Sequence, residues 1–361
     1  MIICVCSFSK RGKEWEKVLK FQMPDVVWFP KPEDEPLSEW TKQQLEKRLP
    51  ILFIGSTGIA VRIIAPFIKD KFLDSPVLVL DEAGRNLIPI LSGHIGGGNE
   101  LARKIAAKIG AVAIITTATD VHNVFSVDVF ARKNAFRIVN KAAVKLVSEK
   151  MLAKKEICMQ IPKGFNLGDE TIPESIIISD DMSAESEASG SDVKILLSEA
   201  EAESALNGKN PDAEPLILVP KKYCVGIGCK KGKTFDELND FLTSSLQEDI
   251  QKNIAGFASI DIKSGEIGLM NLSQYYHVDF KTFSAETLEN INLENGEELS
   301  SSDFVRSVTG IDNVCERSAL ALAMEMGGGE VSRLCVKKTA GNGITLAVAE
   351  RIPKICTWET K

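Results

Sequence analysis

Short apolar runs that hand over, one after another, to helix-like patterns constrain this chain more than anything else in it. MIICVCSF opens the sequence and precedes a helix-like stretch near residues 11 to 20. ILFIG at 51–55 precedes STGIAVRIIAPFIKDK, where Ser56 or Thr57 can cap a helix that Pro66 bends or ends. PVLVLDEAG at 76–84 and NLIPILSG at 86–93 read as a strand, a turn and a second strand. GGGNELARKIAAKIG follows as an amphipathic helix closed by Gly110, and AVAIITTATD reads as a further strand. This alternation calls for a sheet with helices on its faces.

The character changes after residue 121. DVFARKNAFRIVNKAAVKLVSEKMLAKKEI reads as helical and basic, and SDDMSAESEASGSD at 179–192 as an acidic, serine-rich solvated loop. KILLSEAEAESALNGKNPDAEPLILVPKKYC brings short strands with a polar stretch between them, the GKNPDAEP segment as a loop. From about 220 a second β/α pattern runs to a final strand, GITLAVAERI. The expectation is a multi-domain α/β protein. Residues 1–118 and 219–361 form N-terminal and C-terminal α/β sheet domains, and 119–218 a small α+β middle domain; no fixed-period repeat is present.

Composition excludes several function classes. A net charge of −7 argues against a general nucleic-acid binder, and no apolar run approaches a membrane span. The opening run lacks a basic segment before it and reads as a first strand rather than a signal peptide. The eight cysteines form no C-x-x-C pair and several sit in apolar runs, which fits reduced thiols in a cytoplasm. Only three histidines occur, His94, His122 and His277, none near a cysteine pair, so no protein-built metal site is expected.

Two glycine-rich stretches could carry chemistry. The first, GIGCKKGKT at 226–234, sits between a strand-like KYCVGIGC and a helix-like TFDELNDFLTSSL, with Thr234 and Glu237 in capping-box spacing. A P-loop would need glycine at 227, where Ile227 stands, and the dinucleotide pattern fails at Lys231. What remains is a cationic turn, with Gly226, Gly228, Lys230, Lys231 and Lys233 at a helix N-terminus. It suits an anion, or it is a solvated turn that caps a helix.

The second, LSGHIGGGNELA at 91–102, is the densest. Its glycines let a substrate approach the backbone, and the amides of Gly96, Gly97, Gly98 and Asn99 would suit a carboxylate or an oxyanion. His94 can take and give a proton near neutrality. Glu100 could orient it or act as a base, and Ser92 is a candidate nucleophile outside any G-x-S-x-G elbow. The bland alternative is a glycine-rich turn whose histidine bonds only the backbone. The place, between a strand end and a helix start, favours a site. Elsewhere, Arg62 is either an anion ligand or an exposed helical arginine. Asp261, Lys263 and Glu266 cluster at a strand end, where alternation would put Asp261 and Lys263 on one face. Asp312 reads as a helix cap, while Glu316, on the apolar VCERSALALAM helix, is harder to explain structurally.

Taken together, GIAVRIIAPFIKDK, VLVLDEAGRNLIPILSGHIGGGNELA, TATDVHNVFSVD, VGIGCKKGKTFDEL, ASIDIKSGEIGL and VTGIDNVCERSALALA resemble the cobalt-precorrin-5A hydrolase (CbiG) family of anaerobic cobalamin biosynthesis, in order and across essentially the whole chain. The resemblance implies an enzyme that opens the δ-lactone of cobalt-precorrin-5A with water and releases acetaldehyde. Cobalt would belong to the anionic tetrapyrrole substrate, so no further cofactor is implied. The chain departs from the family at Gly98, where relatives usually carry alanine. In this reading His94, Glu100 and Ser92 are the catalytic candidates. Gly96, Gly97, Gly98, Asn99, Arg62, Gly226, Gly228, Lys230, Lys231, Lys233, Lys263 and Glu316 are the substrate-binding ones. The protein would be cytoplasmic, with no nucleic acid or membrane partner, and with room for a homodimer and transient contact with neighbouring pathway enzymes. Two alternatives stand beside it: a non-catalytic carrier of tetrapyrrole intermediates, which would not need His94, and a different α/β enzyme acting on a phosphorylated metabolite.

Overall fold

The structure, a computed structural model, describes residues 1–179, 191–208, 215–291, 299–300, 306, 310–329 and 333–360. The acidic stretch at 179–192 and the GKNPDAEP segment lie, apart from their ends, outside the described residues. The chain divides into two compact units, Met1–Asn123 and Val124–Thr360.

The first unit is one six-stranded sheet with helices. In chain order it runs β1 Ile2–Ser7, α1 Lys10–Gln22, β2 Val27–Pro30, α2 Leu37–Glu46, β3 Ile51–Ile54, α3 Thr57–Ile64, β4 Val77–Leu80, β5 Asn86–Leu91, α4 Gly98–Ile109, β6 Val112–Ala113 and α5 Ala118–Val121. The strand order is β2-β1-β3-β4-β5-β6. Strands β1, β3 and β4 bury every residue but Ser7, as parallel strands covered on both faces must. Pro66 acts as expected: α3 stops at Ile64 and a 3₁₀ turn, Ala65–Phe67, follows. Gly110 closes α4 in the left-handed region, at φ 71°. The expected strand AVAIITTATD shrinks to two residues before the chain turns into α5.

Strand direction decides where the loops emerge. β1 to β4 run parallel, β5 runs antiparallel to β4, and β6 follows β5. Leu91 at the end of β5 therefore pairs with Val77 at the start of β4. The SGHIGGG loop opens at the edge where β1–β4 begin. The GSTG turn opens at the other edge, where the Gly55 amide bonds the Leu80 carbonyl at 2.8 Å.

The second unit holds two five-stranded sheets. The first is built from α6 Val127–Lys133, β7 Phe136–Ile138, α7 Ala143–Leu152, β8 Ile157–Gln160, β9 Ile176–Ser179, β10 Val193–Ile195, α8 Glu199–Leu206 and β11 Leu216–Pro220. Its order is β7-β11-β10-β8-β9, with β7 antiparallel to the rest. The basic stretch read as continuously helical is thus broken: Phe136–Ile138 leave it as an edge strand on β11.

The second sheet follows as β12 Tyr223–Cys229, α9 Phe235–Ser245, α10 Glu248–Lys252, β13 Ile254–Ile260, α11 Ile267–Tyr275, β14 Asp279–Phe283, α12 Ala285–Glu289, α13 Cys315–Gly327, β15 Arg333–Gly341 and β16 Ile344–Glu350. Its order is β14-β13-β12-β16-β15. Alternate residues of β12 face opposite sides: Val225 and Ile227 pack with Leu238, Leu242, Leu269 and Leu272 of α9 and α11. Cys224 packs with Ala319, Leu320, Leu322 and Ala323 of α13. After β16 the chain returns to the first sheet of its unit. Asn134 Oδ1 there accepts the amides of Cys356 at 2.6 Å and Thr357 at 2.9 Å.

Candidate active site

The loop from β5 to α4 is closed by its own backbone. The Gly97 amide donates to the His94 carbonyl at 2.9 Å, Gly98 to Ser92 at 3.0 Å and Asn99 to Gly93 at 2.8 Å. Gly97 caps α4 at φ 79°, a conformation that needs glycine. The expected cradle of four donor amides is therefore corrected. Three of them hold the loop itself, and of the four only the Gly96 amide makes no backbone bond to another described residue.

What the tight loop presents is a side chain. His94 Nε2 lies 2.7 Å from Asp120 Oδ2 and 3.0 Å from Thr119 Oγ1. Asp120, on α5, also accepts from Asn99 Nδ2 at 2.8 Å and from Arg103. Asn99 Nδ2 reaches Thr117 Oγ1 at 2.8 Å as well. The carboxylate of Asp120 is 6 % exposed, the His94 ring 15 % and Arg103 40 %. Burial pushes the Asp120 pKa up, but hydrogen bonds from Arg103, His94 and Asn99 and the His94 charge outweigh it and hold the group below the ordinary carboxylate range. An ionised carboxylate only accepts, so Nε2 of a neutral His94 carries the proton and Nδ1 is its basic nitrogen. A ring held in one tautomer by a buried carboxylate is equipped for general base and acid work.

The other two catalytic candidates fare differently. Ser92 adopts φ 53°, and its hydroxyl is buried without a hydrogen-bond partner among the described residues, so no bond joins it to His94. Glu100 is exposed on the first turn of α4, and the orienting role given to it belongs to Asp120. Sequence reasoning missed Asp120, Thr119 and Arg103. A signal existed: Arg103 lies four residues after Asn99, hence on the same helix face.

The loop after β12 in the second unit has another character. Thr234 and Glu237 form the expected capping box. Gly232, at φ 79°, turns the chain, and its amide donates to Glu266 at 2.9 Å. Glu266 also holds Lys263 at 2.9 Å, both largely buried, and Lys233 holds Glu237 at 2.6 Å. The bond from Lys233, then those from Thr234, bring Glu237 down to about 2. Lys230 and Lys231 are exposed and make no salt bridge among the described residues. Asp261 and Lys263 do not share a strand face, because Asp261–Lys263 form a 3₁₀ turn.

Three more expected ligands have structural explanations. A Cβ at Gly226 would run into the Cys315 carbonyl and stand 2.6 Å from Ala319 N, so this glycine lets α13 lie on β12. One at Gly228 would stand 2.7 Å from Thr345 Oγ1 on β16. Glu316 is 1 % exposed, and its carboxylate accepts from Ser300 N at 2.8 Å, Ser300 Oγ at 3.0 Å, Lys338 N at 2.8 Å and Asn313. Arg62 is exposed on α3 with no bond to the His94 cluster among the described residues. No group of three His, Cys, Asp or Glu side chains among the described residues is arranged to hold a metal ion, and no helix there is long and apolar enough to cross a membrane.

The family described as Cobalamin synthesis G N-terminal matches residues 39–120, and that described as Cobalamin synthesis G C-terminus matches 223–349. The chain is 32% identical over 327 residues to cobalt-precorrin-5A hydrolase of Salmonella typhimurium, covering 88% of this chain and 87% of that one. It is 30% identical over 368 residues to the cobalt-precorrin-5A hydrolase of Priestia megaterium, covering 96% and 94%. A solved structure described as a cobalamin biosynthesis protein G homolog from Sulfolobus solfataricus is 22% identical, covers 96% of each chain and superposes with a TM-score of 0.40.

Proposed function

The chain belongs to the cobalt-precorrin-5A hydrolase family, and from that premise we propose that it opens the δ-lactone of cobalt-precorrin-5A with water and releases acetaldehyde, leaving cobalt-precorrin-5B. It is a hydrolase of cobalamin biosynthesis, and the reading as a non-catalytic carrier is not favoured. The observation that carries the chemistry is the pair that His94, in the loop after β5, forms with Asp120 of α5.

In this reading His94 Nδ1 takes a proton from water as its oxygen adds to the lactone carbonyl. The ring oxygen leaves as the carbon–oxygen bond breaks, and the imidazolium returns the proton to it. The resulting alcohol then loses its hydroxyl proton to the same nitrogen. Its carbon–carbon bond to the macrocycle breaks, the aldehyde departs, and the ring keeps the electron pair and is protonated. Asp120 holds the tautomer throughout and stabilises the imidazolium. The Gly96 amide, without a backbone bond to another described residue, is the loop's donor for the oxyanion. Lys230 and Lys231 supply cations suited to the substrate's carboxylates, and cobalt arrives with the substrate. The proposal includes a cytoplasmic setting, in keeping with eight free cysteines.

The test is one anaerobic incubation of the protein with cobalt-precorrin-5A, with volatile aldehyde trapped and the product weighed by mass spectrometry. The wild type is expected to release acetaldehyde, and folded His94→Ala to lose at least about 10²-fold in rate. Equal release by both proteins would remove His94 from the mechanism. Binding without release by the wild type would overturn the enzyme reading.

A further inference from the structure

A buried arginine without a counter-ion lies in the second unit, where the chain passes between its two sheets. Arg351 directly follows β16 and is 1 % exposed. Its Nε donates to the Lys221 carbonyl at 2.8 Å and one Nη2 hydrogen to the Asn134 carbonyl at 3.3 Å. Nη1, with two hydrogens to give, is buried and has no acceptor. Among the described residues no carboxylate pairs with Arg351 or with Lys221.

The neighbours worsen the imbalance. The charges acting on the Lys221 ammonium are Arg137 and Arg351, both cations. Desolvation first, then these two, bring Lys221 down to about 8. Burial likewise lowers Arg351. Arg137 is matched by Glu199, and Glu199 takes Asn253 Nδ2 at 3.2 Å as well, so it is already engaged. A buried guanidinium answered only by two carbonyls, one of them that of Lys221, and set in the field of the Lys221 ammonium is a costly arrangement unless an anion completes it.

We propose that Arg351 Nη1 and the Lys221 ammonium hold one small monovalent anion, a halide or a carboxylate. Nη1 is sealed from solvent, so the anion must be small. Once bound, it joins the link between β11 and β12 to the end of β16. Asn134 extends that junction, since its carbonyl accepts from Arg351 while its side chain holds Cys356 and Thr357. The site is independent of His94 and of the hydrolytic reading.

The experiment measures Tm of the full chain at rising chloride or acetate, against a bulky sulfonate salt at equal ionic strength. A ligand that binds only the folded state raises stability with the logarithm of its concentration above Kd. Chloride, acetate or both should raise Tm of the wild type beyond the sulfonate control, which also separates halide from carboxylate. Lys221→Gln should weaken that anion-specific response about tenfold in concentration. Arg351→Met should abolish it, and the lysine variant serves if the arginine variant does not fold. Crystals soaked in bromide or acetate should show the anion against Nη1. Equal responses to all three salts, or an unchanged response in Lys221→Gln, would overturn the site and leave Arg351 a carbonyl-bound brace.

Discussion

Both glycine-rich loops leave a strand, turn, and enter a helix, and both are fastened by a carboxylate from a later turn. In the first unit Asp120 fastens the loop through the His94 ring. In the second, Glu266 fastens it through the Gly232 amide. The same device thus yields opposite products. One loop holds a titratable ring in a defined tautomer, and the other fixes a turn and leaves two exposed lysines. Glycine content does not separate them; the atom that meets the carboxylate does. In neither loop do the glycines act chiefly as ligand cradles. Gly97 supplies a left-handed cap, and Gly226 supplies clearance for a helix.

The largest effect should come from the glycine most removed from chemistry. Gly226→Ala places a methyl group against the Cys315 carbonyl and 2.6 Å from both Ala319 N and Ser318 Oγ. Two of these are backbone atoms of α13, which can yield only by lifting off β12. A loss of about 3 kcal/mol or more is expected, at the upper end of what overpacking a core costs. A thermal melt of the variant checks it, and an unchanged Tm would return Gly226 to the list of ligand residues.

Next comes the pair of fastening carboxylates. Asp120→Asn can offer an amide hydrogen to Nε2 and so favour the tautomer with the proton on Nδ1, the wrong nitrogen for a base. The rate should fall about 10²-fold or more with substrate affinity nearly kept. Glu266→Gln should change kcat by only a few-fold, because it touches a turn rather than a reacting group. Acid titration gives the second readout. The folded-state pKa of Asp120 is depressed, so the stability it contributes is present above its unfolded value near about 4 and is lost as pH falls through the lower folded value. Asp120→Asn should flatten that acid limb. Equal kcat losses in the two variants would dissolve the distinction between the loops.

Much of this was legible in the sequence because it is local. Apolar runs marked the parallel strands, Gly110 marked a helix end, and Thr234 with Glu237 marked a cap, each from neighbours a turn apart. The His94 site was half legible. The histidine stands out in its loop, but its partner is twenty-six positions later on a four-residue helix, and nothing local says that the two meet. Direction was hidden too. A hairpin turn held by Asp81, which accepts the Arg85 and Asn86 amides, sends β5 back against β4, and so puts His94 at the edge opposite the GSTG turn. Phe136–Ile138 were lost inside a basic, helix-like run because three residues give no measurable period.

The exposed lysines should matter less than either carboxylate. Lys230→Ala with Lys231→Ala removes two solvated charges that make no salt bridge among the described residues, so stability should hold within about 0.5 kcal/mol. KM for the polyanionic substrate should rise several-fold at low salt and converge on the wild type at high salt, with kcat unchanged. Steady-state kinetics at two ionic strengths decides it. A salt-independent KM would mean that this loop, unlike the first, has no part in substrate recognition.

The smallest effect is expected at Gly98, and its sign probes how rigid the first loop is. Gly98 has an ordinary helical backbone at the first position of α4, so alanine gains up to about 1 kcal/mol of helix propensity over glycine. Against this, the new methyl stands 3.0 Å from the Ser92 carbonyl and 3.3 Å from that of Leu91. The Ser92 carbonyl is the acceptor for Gly98's own amide, and Ser92 is already held at φ 53°. If Ser92 relaxes by a few tenths of an ångström, Gly98→Ala is neutral or slightly stabilising and kcat stays within about two-fold. If the loop cannot give, Tm falls by a few degrees, and kcat falls with it because Ser92 and His94 lie two residues apart on one closed turn. Parallel measurement of Tm and kcat separates the two, since a change in kcat without a change in Tm would show the loop carrying the displacement to His94 itself.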